Sequence, residues 1–319
     1  MRKIFMLLVG LALLVSCANR SKQKAAVNSA GGLSGSIQLS GAFALYPMAV
    51  RWGEEFRKLH PNVKIDISGG GAGKGMTDAL AGVVDIGMVS REIYPEELGK
   101  GANAFAVVKD AVVLTINANN PLLADIKKIG LKKSTAEKLW TQQLSTWGQV
   151  LGTSSATPVH VFTRSDACGA AETFAAWFGK KQEHLKATAV FGDPGVAAAV
   201  QKDRVGIGYN NIAYAYDQQT KKPFEGLAVV PIDVNDNGAV DPEEDFYEAT
   251  ETLVAAINEG KFPSPPARDL YLVVKGKPDK PELIAFLEYV LSDGQQYAKE
   301  TGYIGLSDDK LKKEIAKLR

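Results

Sequence analysis

Along the chain, apolar positions switch repeatedly between a period of two and a period near 3.6. Ser36–Ser40 reads as a short strand, and Leu45, Met48, Ala49, Trp52, Phe56 and Leu59 then fall at helical spacing. Pro47 sits in the first turn of that helix, where a missing N–H costs nothing. Val63–Ser68 alternates as a second strand and runs into Gly69-Gly70-Gly71-Ala72-Gly73, after which Met76, Ala79 and Leu80 space another helix. Asp85–Val89 and Ala111–Ile116 read as further strands. This β-α-β-α-β order predicts an α/β fold with mainly parallel strands. The theme continues with a helical or turn-like stretch at Lys138–Trp147 and a strand at Val159–Thr163. Phe174, Trp177 and Phe178 mark a helix after Cys168-Gly169. Gly206–Tyr209, Leu227–Pro231 and Asp269–Val274 are strands, and an amphipathic helix carries Leu283, Phe286, Leu287, Val290 and Leu291 after Pro281.

The first apolar run is of another kind. Ile4–Val15 spans 12 residues behind Arg2 and Lys3, too short for a bilayer but the right size for a signal-peptide core. It ends in Leu14-Val15-Ser16-Cys17, which resembles the lipobox of bacterial lipoproteins. The resemblance implies removal of residues 1–16 and acylation of Cys17. The mature protein would then be exported and lipid-anchored to a membrane, on its periplasmic or extracellular face. Residues 17–35 are rich in Ser, Ala, Gly, Asn and Lys and read as a tether. No later run reaches membrane-spanning length.

Composition narrows the function classes. The 319 residues suffice for two domains, and 45% hydrophobic with 23% charged is globular. The 37 basic and 36 acidic side chains nearly cancel, which argues against a nucleic-acid partner. Removing Arg2 and Lys3 leaves 35 basic side chains against 36 acidic, so the mature chain is also near neutral. With two cysteines and three histidines, neither a disulfide scaffold nor a His-rich metal centre is expected. Acylation of Cys17 leaves Cys168 an unpaired thiol.

Three strand ends run into small residues and then a helix: Ser40-Gly41-Ala42-Phe43, Ser68 to Gly75, and Thr163-Arg164-Ser165-Asp166-Ala167-Cys168-Gly169-Ala170. Ser90-Arg91 follows a fourth strand. A helix start offers unpaired N–H groups and the positive end of the dipole, so such loops can hold an anion. Ligands of open α/β sheets also sit at the carboxyl ends of strands. The glycine run is not a nucleotide P-loop: Ser68 stands where the first glycine belongs, and Gly75 follows Gly73-Lys74 where Ser or Thr is required.

The stretches SGAFALYP, SGGGAGKGMTDALAGVVDIGMVSREI, KDAVVLTINANNP, STWGQV, VFTRSDACGA and RDLYLVVKGKP come in the order expected of phosphate-binding proteins of bacterial ABC transporters, and the chain resembles that family over residues 34–319. The resemblance implies a two-lobed periplasmic-binding-protein type II fold, with two crossovers and a ligand cleft between the lobes. One lobe would be residues 34–114 plus 269–319 and the other 115–268. It places Ser40, Ala42, Phe43, Gly71, Ala72, Ser90, Arg91, Arg164, Cys168, Gly169 and Ala170 at the ligand. Ala42, Phe43, Ala72, Cys168 and Ala170 stand where the family usually carries hydroxyl or other donors. The arginines and the backbone N–H groups remain. Paired guanidinium donors match tetrahedral oxyanions. Distinguishing protonated phosphate from sulfate also needs an acceptor, for which Asp85, Asp110 and Asp166 are candidates.

A second pattern is independent of the first. Asp233-x-Asn235-x-Asn237-Gly238-Ala239-Val240-Asp241-x-x-Glu244 fits the twelve-residue calcium loop, with oxygen ligands at positions one, three, five, nine and twelve. Ala239 would ligate through its carbonyl. The expectation is structural Ca²⁺ on Asp233, Asn235, Asn237, Ala239, Asp241 and Glu244.

These features predict a monomeric, non-enzymatic solute-binding lipoprotein. It would capture phosphate or a similar oxyanion and deliver it to the permease subunits of an ABC transporter. The rival readings are an anion sensor or surface-binding protein without transport, and a phosphoryl or ester hydrolase on the same scaffold. The hydrolase needs a nucleophile with a base, or a catalytic metal cluster, and the sequence offers neither.

Overall fold

A computed structural model describes residues 32–318, so the predicted signal segment, Cys17 and most of the tether lie outside the described residues. From Leu33 onward the chain forms one compact unit. Nine strands build it: β1 (Ser34–Gly41), β2 (Asn62–Gly69), β3 (Ile86–Val89), β4 (Ala102–Asn117), β5 (His160–Arg164), β6 (Thr188–Val190), β7 (Gly206–Asn211), β8 (Leu227–Val230) and β9 (Ala267–Lys275). Their order across the sheet is β2-β1-β3-β9-β4-β7-β5-β6, with β8 paired to β4. The α/β class expected from sequence is present, with the described strands joined in one sheet that is crossed twice between its two ends.

The expectation of mainly parallel strands is corrected. β1 pairs in parallel with β2 and β3, and β5 with β6 and β7. β9 and β4 run antiparallel to each other and to β3, β7 and β8. The reason is topological. Right-handed β-α-β crossovers generate parallel neighbours within each end of the sheet. β4 and β9 instead carry the chain across the middle and return. β4 is also far longer than the predicted Ala111–Ile116: it begins at Ala102, where near-continuous burial replaces alternation. The stretch around Lys138–Trp147 resolves into two helices, Lys133–Trp140 and Trp147–Leu151, separated by a turn.

Two large hydrophobic clusters lie at the two ends. One gathers Ile37 to Val108 together with Leu270 to Leu318, around Trp52, Phe56, Phe105 and Phe286. The other gathers Ala111 to Ala267, around Trp140, Trp147, Phe174 and Tyr209. Both crossings therefore fall inside strands, between Val108 and Ala111 in β4 and between Ala267 and Leu270 in β9. That is a few residues before the expected boundary at 114. Among the described residues, no helix is long and apolar enough to cross a membrane.

Candidate functional site

The carboxyl ends of β1, β3 and β5 bring the predicted loops together. Ala42 N–H donates to the Met88 carbonyl of β3 at 2.9 Å, and the Gly70 and Gly71 N–H groups both reach the Gly41 carbonyl, at 2.9 and 3.1 Å. Gly71 adopts φ +86°, and a Cβ there would stand 2.8 Å from the Ala167 carbonyl oxygen and 2.9 Å from Asp166 Oδ2. A glycine is required because the loop after β5, from the other half, closes onto it. Gly73 N–H then donates across the cleft to the Ala167 carbonyl at 3.2 Å. Gly169 meets Ser90 in the same way, and Tyr214 Oη ties the halves again by donating to the Phe43 carbonyl at 3.1 Å.

Arg164 ends β5 with its side chain 1% exposed. Its Nε donates to Asp166 Oδ1 at 2.8 Å, its Nη2 to Asp166 Oδ2 at 2.5 Å, and its Nη1 to Asp193. The Phe43 ring covers it, with 5.6 Å from Cζ to the ring centroid. Asp193 in turn accepts both the N–H and the amide of Asn211, at 3.1 and 2.8 Å. Burial opposes the charge on Arg164, but Asp193 and Asp166 outweigh it and hold the guanidinium protonated more firmly than usual. Burial likewise pushes the Asp166 carboxyl up, and the Arg164 hydrogen bond and charge hold it below the ordinary range.

A second buried guanidinium sits beside the first. Arg268 on β9 lies directly opposite Asp110 on β4, in the segments that cross between the halves. Its Nε donates to the Ser90 carbonyl at 2.8 Å, and its Nη2 donates to Asn211 Oδ1 and stands 3.6 Å from Asp110 Oδ2. Arg268 Nη1 is buried with no hydrogen-bond partner among the described residues, while the buried Asp110 carboxylate has only weak backbone contacts, to the Ala111 and Ile212 N–H groups. Burial raises the Asp110 carboxyl to about 7 against the opposing charge of Arg268, and lowers Arg268 from its ordinary value. Buried polar groups are almost always hydrogen-bonded, so Arg268 Nη1 marks where a polar ligand is expected.

Cys168 caps the helix Gly169–Trp177, its Sγ accepting from Ala171 N–H at 3.4 Å. Burial pushes the thiol up to about 12, with the Arg164 charge working the other way, so it is not a nucleophile near neutral pH. The N–H groups of Gly169 and Ala170, at the start of this helix, have no acceptor within it.

The sequence-predicted residues thus divide. Ala42, Phe43, Gly71, Ala72, Ser90, Arg164, Cys168, Gly169 and Ala170 gather at the loops just described. Asp166 is the partner of Arg164, and Asp110 faces Arg268. Ser40 donates its hydroxyl to Asp78 at 2.6 Å. Arg91 turns to Glu97 in a two-pronged pair at 2.9 and 2.7 Å and stacks on Tyr94. Asp85 is corrected outright. It precedes β3 at the opposite end from the cleft, where it accepts from Gln38 N–H at 2.9 Å and from Lys280 at 2.5 Å. Asp193, Asn211 and Arg268 escape the sequence reading. Only Arg268 carried a signal, as the first residue of the RDLYLVVKGKP stretch.

In the loop at 233–244, Asp236 and Gly238 adopt φ +66° and +88°. The buried Asp233 accepts from Asn237 and Gly238 N–H at 3.2 and 2.7 Å, and Glu244 Oε1 from Val234 and Asn235 N–H at 2.9 and 3.1 Å. The Asn235 and Asn237 amides both donate to Asp241 Oδ2 at 2.8 Å. Among the described residues, no three His, Cys, Asp or Glu side chains are gathered closely enough to hold a metal by themselves.

The family described as the PBP superfamily domain matches residues 26–294. A Pseudomonas aeruginosa relative named phosphate-binding protein PstS is 27% identical over 318 residues, covering 91% of this chain and 88% of the relative. A Staphylococcus haemolyticus protein of the same name is 24% identical, covering 90% of this chain and 86% of the relative. Among solved structures, a putative phosphate ABC transporter substrate-binding protein with bound phosphate from Clostridium perfringens superposes with a TM-score of 0.71 at 24% identity, over 86% of this chain and all of that one.

Proposed function

The chain belongs to the PBP superfamily, and from that premise we propose that it captures phosphate or a similar tetrahedral oxyanion and hands it to an ABC permease. One observation carries this reading: helix starts from both halves converge at the carboxyl ends of β1, β3 and β5, beside the buried guanidinium of Arg268. Such an arrangement surrounds an anion with fixed donors and lets closure of the halves complete the cage. Phosphate-binding relatives that align over nine-tenths of the chain support it. Binding without bond making fits the protonated thiol of Cys168. Titration calorimetry with phosphate and sulfate is the test. Saturable binding of phosphate that is lost in a folded Arg268→Met sustains the proposal, and a folded wild-type protein that binds no oxyanion refutes it.

The proposal includes a lipid anchor at Cys17, carried by the lipobox resemblance. Metabolic labelling with palmitate checks it, with Cys17→Ser as the variant that loses the label. It also includes structural Ca²⁺ at residues 233–244. The donor set is all hard oxygen, and turning the two Asn amides would aim their carbonyl oxygens at the loop centre. Added chelator should lower the melting temperature. Equal melting curves with Ca²⁺ and with chelator would remove the metal from the proposal.

A further inference from the structure

Tyr94 precedes the short helix Pro95–Gly99 in the half that contains β1–β3, and Glu172 lies in the first turn of the helix Gly169–Trp177 in the other half. The Tyr94 hydroxyl donates to Glu172 Oε1 at 2.9 Å, so one side-chain hydrogen bond spans the two halves outside the anion loops.

Both ends of that bond are held in place. The Tyr94 ring stacks on the Arg91 guanidinium, with 4.2 Å from Cζ to the ring centroid. Arg91 is fixed in turn by Glu97 at 2.9 and 2.7 Å and by the Glu92 carbonyl at 2.8 Å. Glu97 also accepts from Tyr94 N–H at 2.9 Å. The ring is therefore already ordered and gives up little freedom when its hydroxyl meets a partner. On the other side, Glu172 Oε2 accepts from Gln182 N–H at 3.3 Å. The Gln182 side chain donates to the Asp166 carbonyl at 2.7 Å and accepts from Cys168 N–H at 3.1 Å. Glu172 is thus tied to the loop that leads into the helix start at Gly169. Arg91, expected at the ligand, supports this bond between the halves instead.

We propose that Tyr94 and Glu172 latch the cleft shut, as positioning residues that prolong retention of the anion without touching it, and that Arg91 holds Tyr94 ready. The inference rests on the oxyanion reading above for its ligand and adds what governs release.

Gly73 N–H donates across the cleft to the Ala167 carbonyl, so its hydrogen exchange, read by NMR on the ligand-free protein, reports opening. Tyr94→Phe removes the hydroxyl and keeps the stacked ring. It should speed exchange at Gly73 by about 3- to 10-fold, the contribution of one ordinary hydrogen bond, and leave the amides of the β4–β7 ladder unchanged. In a Glu172→Ala background, where the latch is already lost, the same substitution should change nothing. Release of radiolabelled inorganic phosphate, chased with unlabelled phosphate, should accelerate in Tyr94→Phe by the same factor. Unchanged exchange at Gly73 overturns the latch, as does equal acceleration in the ladder, which marks a general loss of stability. Faster exchange with unchanged phosphate release overturns its role in retention. A wild-type protein that holds no phosphate refutes the oxyanion reading, and exchange at Gly73 still decides the latch.

Discussion

Gly169 opens the helix Gly169–Trp177 and faces Ser90 across the cleft. A Cβ added there would stand 2.5 Å from the Ser90 carbonyl carbon. Carbon atoms in good contact lie about 3.5 Å apart or more, so the shortfall is roughly 1 Å. Gly169 does not have a positive φ, and alanine is the better helix former, so the helix itself tolerates the change. The strain in Gly169→Ala therefore falls on the contact between the halves, which can relieve it by opening. Overpacking of this kind costs about 1–3 kcal/mol. Assigned wholly to the closed form, that weakens ligand capture by about 5- to 150-fold. Phosphate calorimetry, run beside thermal unfolding of the ligand-free protein, separates the two possibilities. The dissociation constant should rise within that range, while the melting temperature moves less than the roughly 2–4 °C that 1 kcal/mol in the fold would produce. A fall in melting temperature with unchanged affinity would show that Ser90 and Gly169 are packed permanently and that the cleft does not open there.

Other expectations follow from the buried charges. Arg164→Met leaves Asp166 and Asp193 buried without their cation and should cost about 3–5 kcal/mol in urea unfolding, with part recovered on adding Asp166→Asn and Asp193→Asn. Asp110 titrates near 7 when folded but near about 4 when unfolded. The folded state then binds more protons between those values, so this group makes stability fall as pH rises from about 4 to about 7, and the loss levels off above. Subtracting the stability profile of Asp110→Asn from that of the wild type should expose this falling limb, and a flat difference refutes the assignment. Cys168, with a thiol raised to about 12, should react with a disulfide reagent at pH 8 far more slowly than in urea; equal rates would contradict its burial.

Local pattern made the cleft's frame legible. A strand ending in Ser40-Gly41, the glycine run at 69–73 and Cys168-Gly169 before an apolar helix each announce a loop and a helix start within a few residues. Those signals depend on period and on glycine, both of which are local. Arg164 was legible because it closes such a loop. The partners of the charged groups were not. Arg91 lies beside Ser90 in sequence, yet its guanidinium is taken by Glu97 six residues on, a choice set by the turn into the helix at Pro95. Asp85 looked equivalent to Asp110 and Asp166 because each is a carboxylate near a strand end. Which end it occupies decides its role: Asp85 precedes Ile86 at the amino end of β3, whereas the cleft lies beyond the carboxyl ends. Asp193 and Arg268 lie 29 and 104 residues from Arg164, and nothing local connects them. The mixed strand directions escaped for the same reason, since the long returns of β4 and β9 are a property of the whole chain.

The charge arrangement also bears on how the cleft attracts an anion. Arg164 carries two carboxylates, so with Asp166 and Asp193 ionised it adds little net positive field. Its role is better described as bracing. It fixes Asp166, which in turn accepts from Gly192 N–H at 3.1 Å, and so holds the loop before Cys168 in place. Arg268 differs. Its nearest carboxylate, Asp110, is half protonated near neutral pH and stands 3.6 Å away without hydrogen-bond contact. An arriving anion would lower the benefit of a charged Asp110 further and draw a proton onto it, which removes the repulsion and leaves an O–H that can donate to the anion. Uptake should then be accompanied by proton binding near neutral pH. Calorimetry in buffers of different ionisation enthalpy reads this directly. A positive proton uptake at pH 7 that disappears in Asp110→Asn is expected, and equal apparent enthalpies across buffers would show that Asp110 takes no part in capture.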